Sequence, residues 1–103
     1  MAFDGTEGGE ITLSTGSDWT QNYRDQVATG ATKGHFFGKD ILTALLDQEG
    51  CVGIRMYYGI DDEEQKVLIL AGANGEENDI LELVADKSMP CPSRCGVAND
   101  LNS

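Results

Sequence analysis

Positive charge is scarce in this chain: seven Lys and Arg residues stand against eighteen Asp and Glu residues, so the net charge is −11. Proteins that hold nucleic acid or anionic membrane need surplus Lys and Arg, which argues against both as partners. No apolar run approaches the roughly 18 residues of a membrane-spanning helix. The first residues lack a basic region and an apolar stretch, so we expect no secretory signal and a cytoplasmic location.

Cysteine is also sparse, at three residues, and histidine occurs once. A secreted disulfide scaffold usually carries an even number of cysteines at higher density. Cys91 and Cys95 lie four positions apart, and Cys51 opens a predicted strand. Three interpretations stay open: unligated thiols, a disulfide between Cys91 and Cys95, or a zinc site in which Cys51 and His35 complete the ligand set.

Motifs for catalysis are missing. The Gly/Thr-rich residues 28–37, interpreted as a loop, contain neither GxxxxGK[ST] nor GxGxxG. Residues 61–64 and 76–79 are oxygen-rich acidic turns, but neither matches an EF-hand loop. No local pattern indicates a Cys/His pair or a Ser-His-Asp triad. We therefore predict no catalytic residue and no bound cofactor unless zinc is present; enzyme activity is left open, and a non-enzymatic protein is favoured.

Two helices are indicated by apolar spacing. Over residues 14–27, Trp19, Tyr23 and Val27 recur at i, i+4 and i+8. Aromatic residues at helical spacing usually face inward, so Trp19 and Tyr23 are predicted to be core residues rather than a binding site. Residues 38–48 form the clearest helix, with a continuous apolar stripe of Ile41, Leu42, Leu45 and Leu46.

Two strands follow, over residues 51–60 and 66–74, and their short connection predicts an antiparallel hairpin. In the first strand, Arg55 and Tyr57 share the less apolar face with Cys51. An Arg at mid-strand needs a partner such as a carboxylate. Arg55 and Tyr57 are therefore candidates for a structural ion pair or for a ligand-facing site.

Residues 78–86 carry apolar residues at i, i+1, i+3 and i+4, which favours a short third helix and leaves a third strand open. Prolines 90 and 92 exclude further helix, so residues 87–103 are expected to form an extended tail. The predicted fold is a single α+β domain over residues 11–103: two to three helices packed on an antiparallel hairpin or small sheet. Residues 1–10 are expected to form a flexible, acidic, Gly-rich arm.

Three motifs stand out along the chain: FGKDIL at 37–42, GCVGIRMYYG at 50–59 and PCPSRCG at 90–96. Together they resemble a family of short uncharacterised bacterial proteins, and the resemblance covers residues 11–103. It implies a natural single-domain protein rather than a fragment. It carries no activity and no catalytic residue to this chain.

Three hypotheses for function follow. The first is a non-enzymatic structural or interaction protein that self-associates, because the predicted core is small and the hairpin leaves strand edges unpaired. The second is a thiol or zinc site built on Cys51, Cys91, Cys95 and His35. The third is an acidic inhibitor or immunity-type protein that binds a basic partner.

Overall fold

A computed structural model describes residues 2–103. The elements in chain order are α1 (Leu13–Gln26), β1 (Gly34–Phe36), α2 (Lys39–Leu46), β2 (Cys51–Ile60), β3 (Lys66–Asn74), β4 (Asp79–Ala85) and β5 (Met89–Cys91). The fold is α+β, as predicted.

The chain divides into two compact units. The sheet unit comprises Met1–Gly8 and Phe37–Ser88, and the disulfide unit comprises Gly9–Phe36 and Met89–Ser103. The assignment of residues 11–103 to one domain, with residues 1–10 as a flexible arm, stays a prediction.

A three-stranded antiparallel sheet, in the order β2-β3-β4, forms the framework of the sheet unit. The hairpin of β2 and β3 has the predicted bounds and pairs along nearly its whole length, from Gly53 opposite Ala73 to Ile60 opposite Lys66. Asp61 fixes the connecting turn, because its Oδ1 accepts hydrogen bonds of 2.9 Å from the backbone N–H groups of both Glu63 and Gln65.

The apolar core of this unit lies between α2 and one face of the sheet. Leu45 of α2 and Leu70 of β3 are fully buried, and Ala85 of β4 is 5% exposed. Burying each leucine contributes roughly 1.5–3 kcal/mol. The half-buried residues packed around this centre are Phe37, Ile41, Leu42, Ile54, Leu68 and Leu83. The predicted apolar stripe of the second helix faces this core through Ile41, Leu42 and Leu45, whereas Leu46, also assigned to the stripe, is 47% exposed.

The prediction of a third helix over residues 78–86 is wrong, because Asp79–Ala85 is strand β4. The physical reason is an irregularity in its pairing with β3. Ala71 lies opposite Val84, whereas the next residue, Gly72, lies opposite Ile80. Residues 81–83 therefore fall outside the paired register, and the strict alternation of a strand is lost from the sequence.

Helix α1 begins the disulfide unit, and Thr12 is its N-cap. The Thr12 side-chain oxygen accepts a hydrogen bond of 3.1 Å from the Thr15 N–H, which satisfies one of the free donors in the first turn. Residues 28–37 are not all loop, since β1 pairs with β5 in an antiparallel two-stranded sheet. In that sheet Gly34 lies opposite Cys91, and Phe36 lies opposite Met89.

Polar contacts hold the last residues of this unit. Arg24 Nη1 donates a 2.6 Å hydrogen bond to the Leu101 carbonyl, and Lys33 Nζ donates one of 2.5 Å to the Asn102 carbonyl. The Asn102 side chain donates to the Cys95 carbonyl at 3.2 Å. None of the described residues of the disulfide unit is buried, so these bonds replace the apolar core that the sheet unit has.

Candidate functional site

Strand β2 presents two different surfaces because successive side chains of a strand point to opposite faces. Ile54 packs towards α2 and the core, which places Met56, Tyr58 and Ile60 on the same face. Arg55 and Tyr57 lie on the opposite face. The strand thus carries an apolar series on one side and two polar groups on the other.

The polar face holds a cluster of three side chains, Arg55, Tyr57 and Asp79, which we call the polar cluster. Arg55 Nη1 lies 2.7 Å from Asp79 Oδ1, and the Tyr57 hydroxyl donates a 2.5 Å hydrogen bond to Asp79 Oδ2. Arg55 Nη1 also donates to the Glu77 carbonyl at 3.2 Å. The mid-strand arginine therefore has a carboxylate partner.

Small residues on β3 make this cluster possible. Arg55 lies opposite Ala71 on β3, and Asp79 of β4 lies opposite Ala73. Because the short alanine side chains on β3 leave room above this strand, the Arg55 side chain reaches across β3 to the Asp79 carboxylate on β4. Ala71 and Ala73 are each only 3% exposed.

Hydrogen bonding shifts the charge equilibria in the cluster. The hydrogen bond from the Tyr57 hydroxyl lowers the pKa of Asp79 below the ordinary value of an aspartate, and the hydrogen bond from Arg55 lowers that pKa further. The hydrogen bond to Asp79 in turn raises the pKa of Arg55. Both groups are therefore charged at neutral pH.

The N-terminal segment lies against the same face. The Phe3 ring centroid is 5.3 Å from Arg55 Cζ, a cation–π distance, and the Phe3 N–H donates a 3.0 Å hydrogen bond to the Gly75 carbonyl. Gly5 has a φ of +94°, and a Cβ there would lie 3.2 Å from the Val52 carbonyl oxygen. A shallow groove of about 350 Å³ lies between this segment and strands β2 and β3.

The polar cluster is suited to fixing strands rather than to catalysis. Both Asp79 oxygens already accept hydrogen bonds, and a carboxylate with a lowered pKa is a weak general base. Neither Arg55 nor Tyr57 is paired with a nucleophile. Arg55 thus has the carboxylate partner of a structural ion pair, and it also lines the groove, so the ligand-facing interpretation of Arg55 and Tyr57 stays a prediction.

The other face of β2 carries the most exposed apolar surface of the sheet unit. Met56 is 56% exposed, Tyr58 95% and Ile60 73%. We call these three residues the β2 stripe. They extend beyond the part of the sheet that packs with α2, whereas Ile54, two positions before Met56, is half-buried in the core. Within residues 2–103, β2 pairs only with β3, so its outer edge carries unpaired backbone groups.

Trp19 and Tyr23 are not core residues, so that prediction is wrong. Trp19 is 62% exposed and Tyr23 is 38% exposed, and the Tyr23 hydroxyl donates a 3.0 Å hydrogen bond to the Thr32 carbonyl. The reason is that α1 has no buried residue. Trp19 and Tyr23 are one helical turn apart on α1, whereas Val27, the third residue of the predicted face, follows the last helical residue; none of the residues of α1 is buried.

The candidate metal ligands are divided between the units. Cys91 and Cys95 form a disulfide, and disulfide sulfurs are not the thiolates that zinc binds. His35, in β1, lies opposite Pro90 of β5. Cys51 is a free, half-buried thiol in the sheet unit that donates a hydrogen bond to the Gly53 carbonyl at 3.2 Å. Among the described residues no group of three His, Cys, Asp or Glu side chains is arranged to hold a metal, so the zinc site stays a prediction without geometric support.

Two features of the site escaped the sequence. Asp79 had been counted with an acidic turn, yet an arginine in the middle of one strand and an acid at the start of a nearby strand are a signal for a cross-sheet pair. Phe3 had been assigned to the arm, and no sequence signal connects it to Arg55.

None of the helices within residues 2–103 is long and apolar enough to cross a membrane. No protein-family model, no curated protein and no solved structure matches the chain. The resemblance to a family of short bacterial proteins therefore stays a prediction.

Proposed function

We propose that this chain is a non-enzymatic interaction protein that self-associates through the β2 stripe. The observation that carries the proposal is the exposure of Met56, Tyr58 and Ile60 on one face of a strand whose outer edge is unpaired. Clustered apolar residues exposed on a sheet mark an interaction site, and a long apolar edge strand is a template for another strand.

The rest of the site supports binding over catalysis. The polar cluster uses both oxygens of Asp79 to fix the sheet, and no nucleophile accompanies it. The only free thiol, among the described residues, is Cys51, which lies at the other end of β2 from the stripe. Contact through the stripe would remove apolar surface from water. This burial contributes a favourable free energy of about 25 cal/mol per Å², from which the costs of association are subtracted.

Net charge gives the proposal a distinctive salt dependence. Two copies that each carry −11 repel one another, and salt screens that repulsion. Self-association should therefore strengthen as salt is raised. Binding of a basic partner, the alternative hypothesis, would weaken as salt is raised, because salt screens the attraction between the acidic chain and that partner.

Sedimentation velocity of the oxidised full chain over a range of protein and salt concentrations tests the proposal. We expect dimers that become more abundant with concentration and with salt. Tyr58→Lys should move the dimerisation midpoint to at least tenfold higher protein concentration, because it puts a charge in the centre of the contact. Leu81→Lys is the matched control: Leu81 is 71% exposed on β4, and the charge change is the same.

A chain that sediments as a monomer at every concentration and salt would contradict self-association. Equal effects of the two lysine substitutions would instead place the contact outside β2. Because each substitution reduces the net negative charge, a loss of dimer cannot be attributed to added repulsion between the copies as a whole.

A further inference from the structure

The two outer edges of the three-stranded sheet are not equivalent. Strand β4 has seven residues, carries acidic residues at 79 and 82, and is irregular between Ile80 and Val84. Bulges, charges and short length are the usual means by which proteins prevent edge-to-edge pairing. Strand β2 has ten residues, and its only irregularity lies at its start, between Cys51 and Gly53. Residues 56–60 carry no charge at all. β2 is thus the unprotected edge.

We propose that a second copy of this chain adds to that edge, with the two β2 strands antiparallel about a twofold axis at Tyr58, so that the two sheets join into one of six strands. The inference rests on the proposed function, since it specifies the partner strand and the register of the same contact. A twofold axis is the most common symmetry of homodimers, and it requires the contact surface to be complementary to itself.

The stripe meets that requirement in this register. Tyr58 lies opposite Tyr58 of the other copy, and Met56 lies opposite Ile60. All three residues are on one face, so the two stripes form a single apolar surface across the junction. Directly opposite side chains of antiparallel strands approach to about 4.5–5.5 Å between Cβ atoms, and aromatic pairs at that spacing are stabilising.

The opposite face is also complementary. Tyr57 lies opposite Gly59, which has no side chain to clash with it, so Tyr57 keeps its hydrogen bond to Asp79 in the dimer. At the end of the paired segment Arg55, which stays ion-paired with Asp79, lies opposite Asp61, so this register places no two acidic residues directly opposite one another. Two highly acidic chains can therefore approach here without facing like charges.

Neighbouring registers are less favourable. An axis at Tyr57 would place Arg55 opposite Gly59 and lose the pair of opposite charges. An axis at Gly59 would place Met56 opposite Asp62, an apolar side chain against a carboxylate. The axis at Tyr58 is the one that matches apolar, aromatic and charged positions together.

NMR on unaltered protein tests the register directly. A mixed sample is prepared in which half of the molecules are isotope-labelled and half are unlabelled, so that only contacts between copies are detected. We expect contacts between the Met56 methyl of one copy and the Ile60 side chain of the other, and between the two Tyr58 rings. Contacts of Met56 with Met56 would overturn the register, because residues 56 of the two copies are separated by four strand positions, about 13 Å.

Cysteine cross-linking gives an independent test. On a Cys51→Ser background with the disulfide intact, Met56→Cys and Ile60→Cys proteins are mixed and treated with a short bis-maleimide. The mixed 56–60 product should exceed both the 56–56 and the 60–60 products at least fivefold. Leu81→Cys, on the β4 edge, should cross-link no more than chance collisions allow.

Self-association and the register of the contact can be distinguished by these experiments. If wild-type protein forms dimers but all cross-linked products are equally abundant, the register is wrong while self-association stands. If wild-type protein is monomeric in sedimentation, the proposed function fails, and the register with it.

Discussion

The two units of this molecule are stabilised by different means. Among residues 2–103, all five buried apolar residues belong to the sheet unit, and the disulfide lies in the other unit; the five are Leu45, Leu70, Ala71, Ala73 and Ala85. The disulfide unit has no buried residue, but it contains the bond between Cys91 and Cys95 and a set of hydrogen bonds to backbone carbonyls. One small chain thus combines a unit stabilised by an apolar core with a unit stabilised by a disulfide and hydrogen bonds.

Charge differs between the units as sharply as packing does. The sheet unit has fourteen acidic and four basic residues, a net charge of −10, whereas the disulfide unit has four acidic and three basic residues, a net charge of −1. The halves of the sequence, by contrast, look equally acidic. The uncharged residues 56–60 therefore lie within the acidic unit, which makes their lack of charge more notable.

The largest expected effect is on the packed core. Leu70→Ala should lower the free energy of unfolding of the sheet unit by about 3 kcal/mol, because it removes a fully buried side chain and leaves a cavity. Urea unfolding followed by amide signals of β3 measures the change. Leu81→Ala, at a 71% exposed position, should change it by no more than about 0.5 kcal/mol. Equal effects would show that the core is not where the structure places it.

The second-largest effect is expected from removal of the disulfide, which should destabilise the disulfide unit. Because the loop it closes is short, the bond contributes roughly 2 kcal/mol in the chain-entropy account. The double substitution Cys91→Ser and Cys95→Ser, or a dithiol reductant, should abolish hydrogen-exchange protection in α1, β1 and β5 and leave β3 protected. Cys51→Ser is the matched control and should leave both units protected. Simultaneous loss of protection in β3 would contradict the division.

A smaller effect is expected at the start of α1. Thr12→Ala should destabilise this helix by about 1 kcal/mol, because the Thr15 N–H loses its side-chain acceptor. Ser14→Ala removes a similar hydroxyl one residue inside the helix and should have little effect. Hydrogen exchange of the first-turn amides distinguishes the two variants. An effect of Ser14→Ala as large as that of Thr12→Ala would show that Thr12 is not the N-cap of α1.

The smallest effect concerns the polar cluster and depends on pH. Since the pKa of Asp79 is lower in the folded chain than the ordinary pKa of an aspartate in the unfolded chain, ionised Asp79 stabilises the fold at pH values above that ordinary pKa. This contribution is lost as the pH falls through the lowered folded-state pKa. Wild type should therefore be more stable than Asp79→Asn at pH 7, and the difference should shrink below about pH 4. The urea unfolding midpoints of the two proteins across this pH range measure the difference in stability. A difference that grows as the pH falls would contradict a stabilising role for ionised Asp79.

The sequence predicted the hairpin well because its signals were local. Alternation over residues 51–60 and an acidic turn at Asp61 define two strands without reference to the rest of the chain. The same is true of the apolar stripe that places Leu45 in the core. Over residues 78–86 the sequence favours a helix and leaves a strand only as the alternative, because the irregular pairing opposite Ala71 and Gly72 breaks alternation, and that irregularity is a property of two strands together.

The candidate site shows where such inference ends. Arg55 was recognised as needing a partner, but the identity of Asp79 depends on two alanines that let the arginine cross β3. Trp19 was predicted to be buried from its spacing alone, whereas burial depends on whether another apolar layer covers the helix. The exposure of Tyr58 likewise depends on how far α2 extends over the sheet.

Hydrogen exchange of the β2 amides at two protein concentrations tests the central claim, that the outer edge of β2 is free in one copy and pairs with another. In the monomer, the alternate amides that do not bond to β3 should exchange rapidly. At high concentration these same amides around Tyr58 should become protected, while the amides of β4 exchange as before. Exchange of the β2 amides at one unchanged rate across both concentrations would contradict the claim.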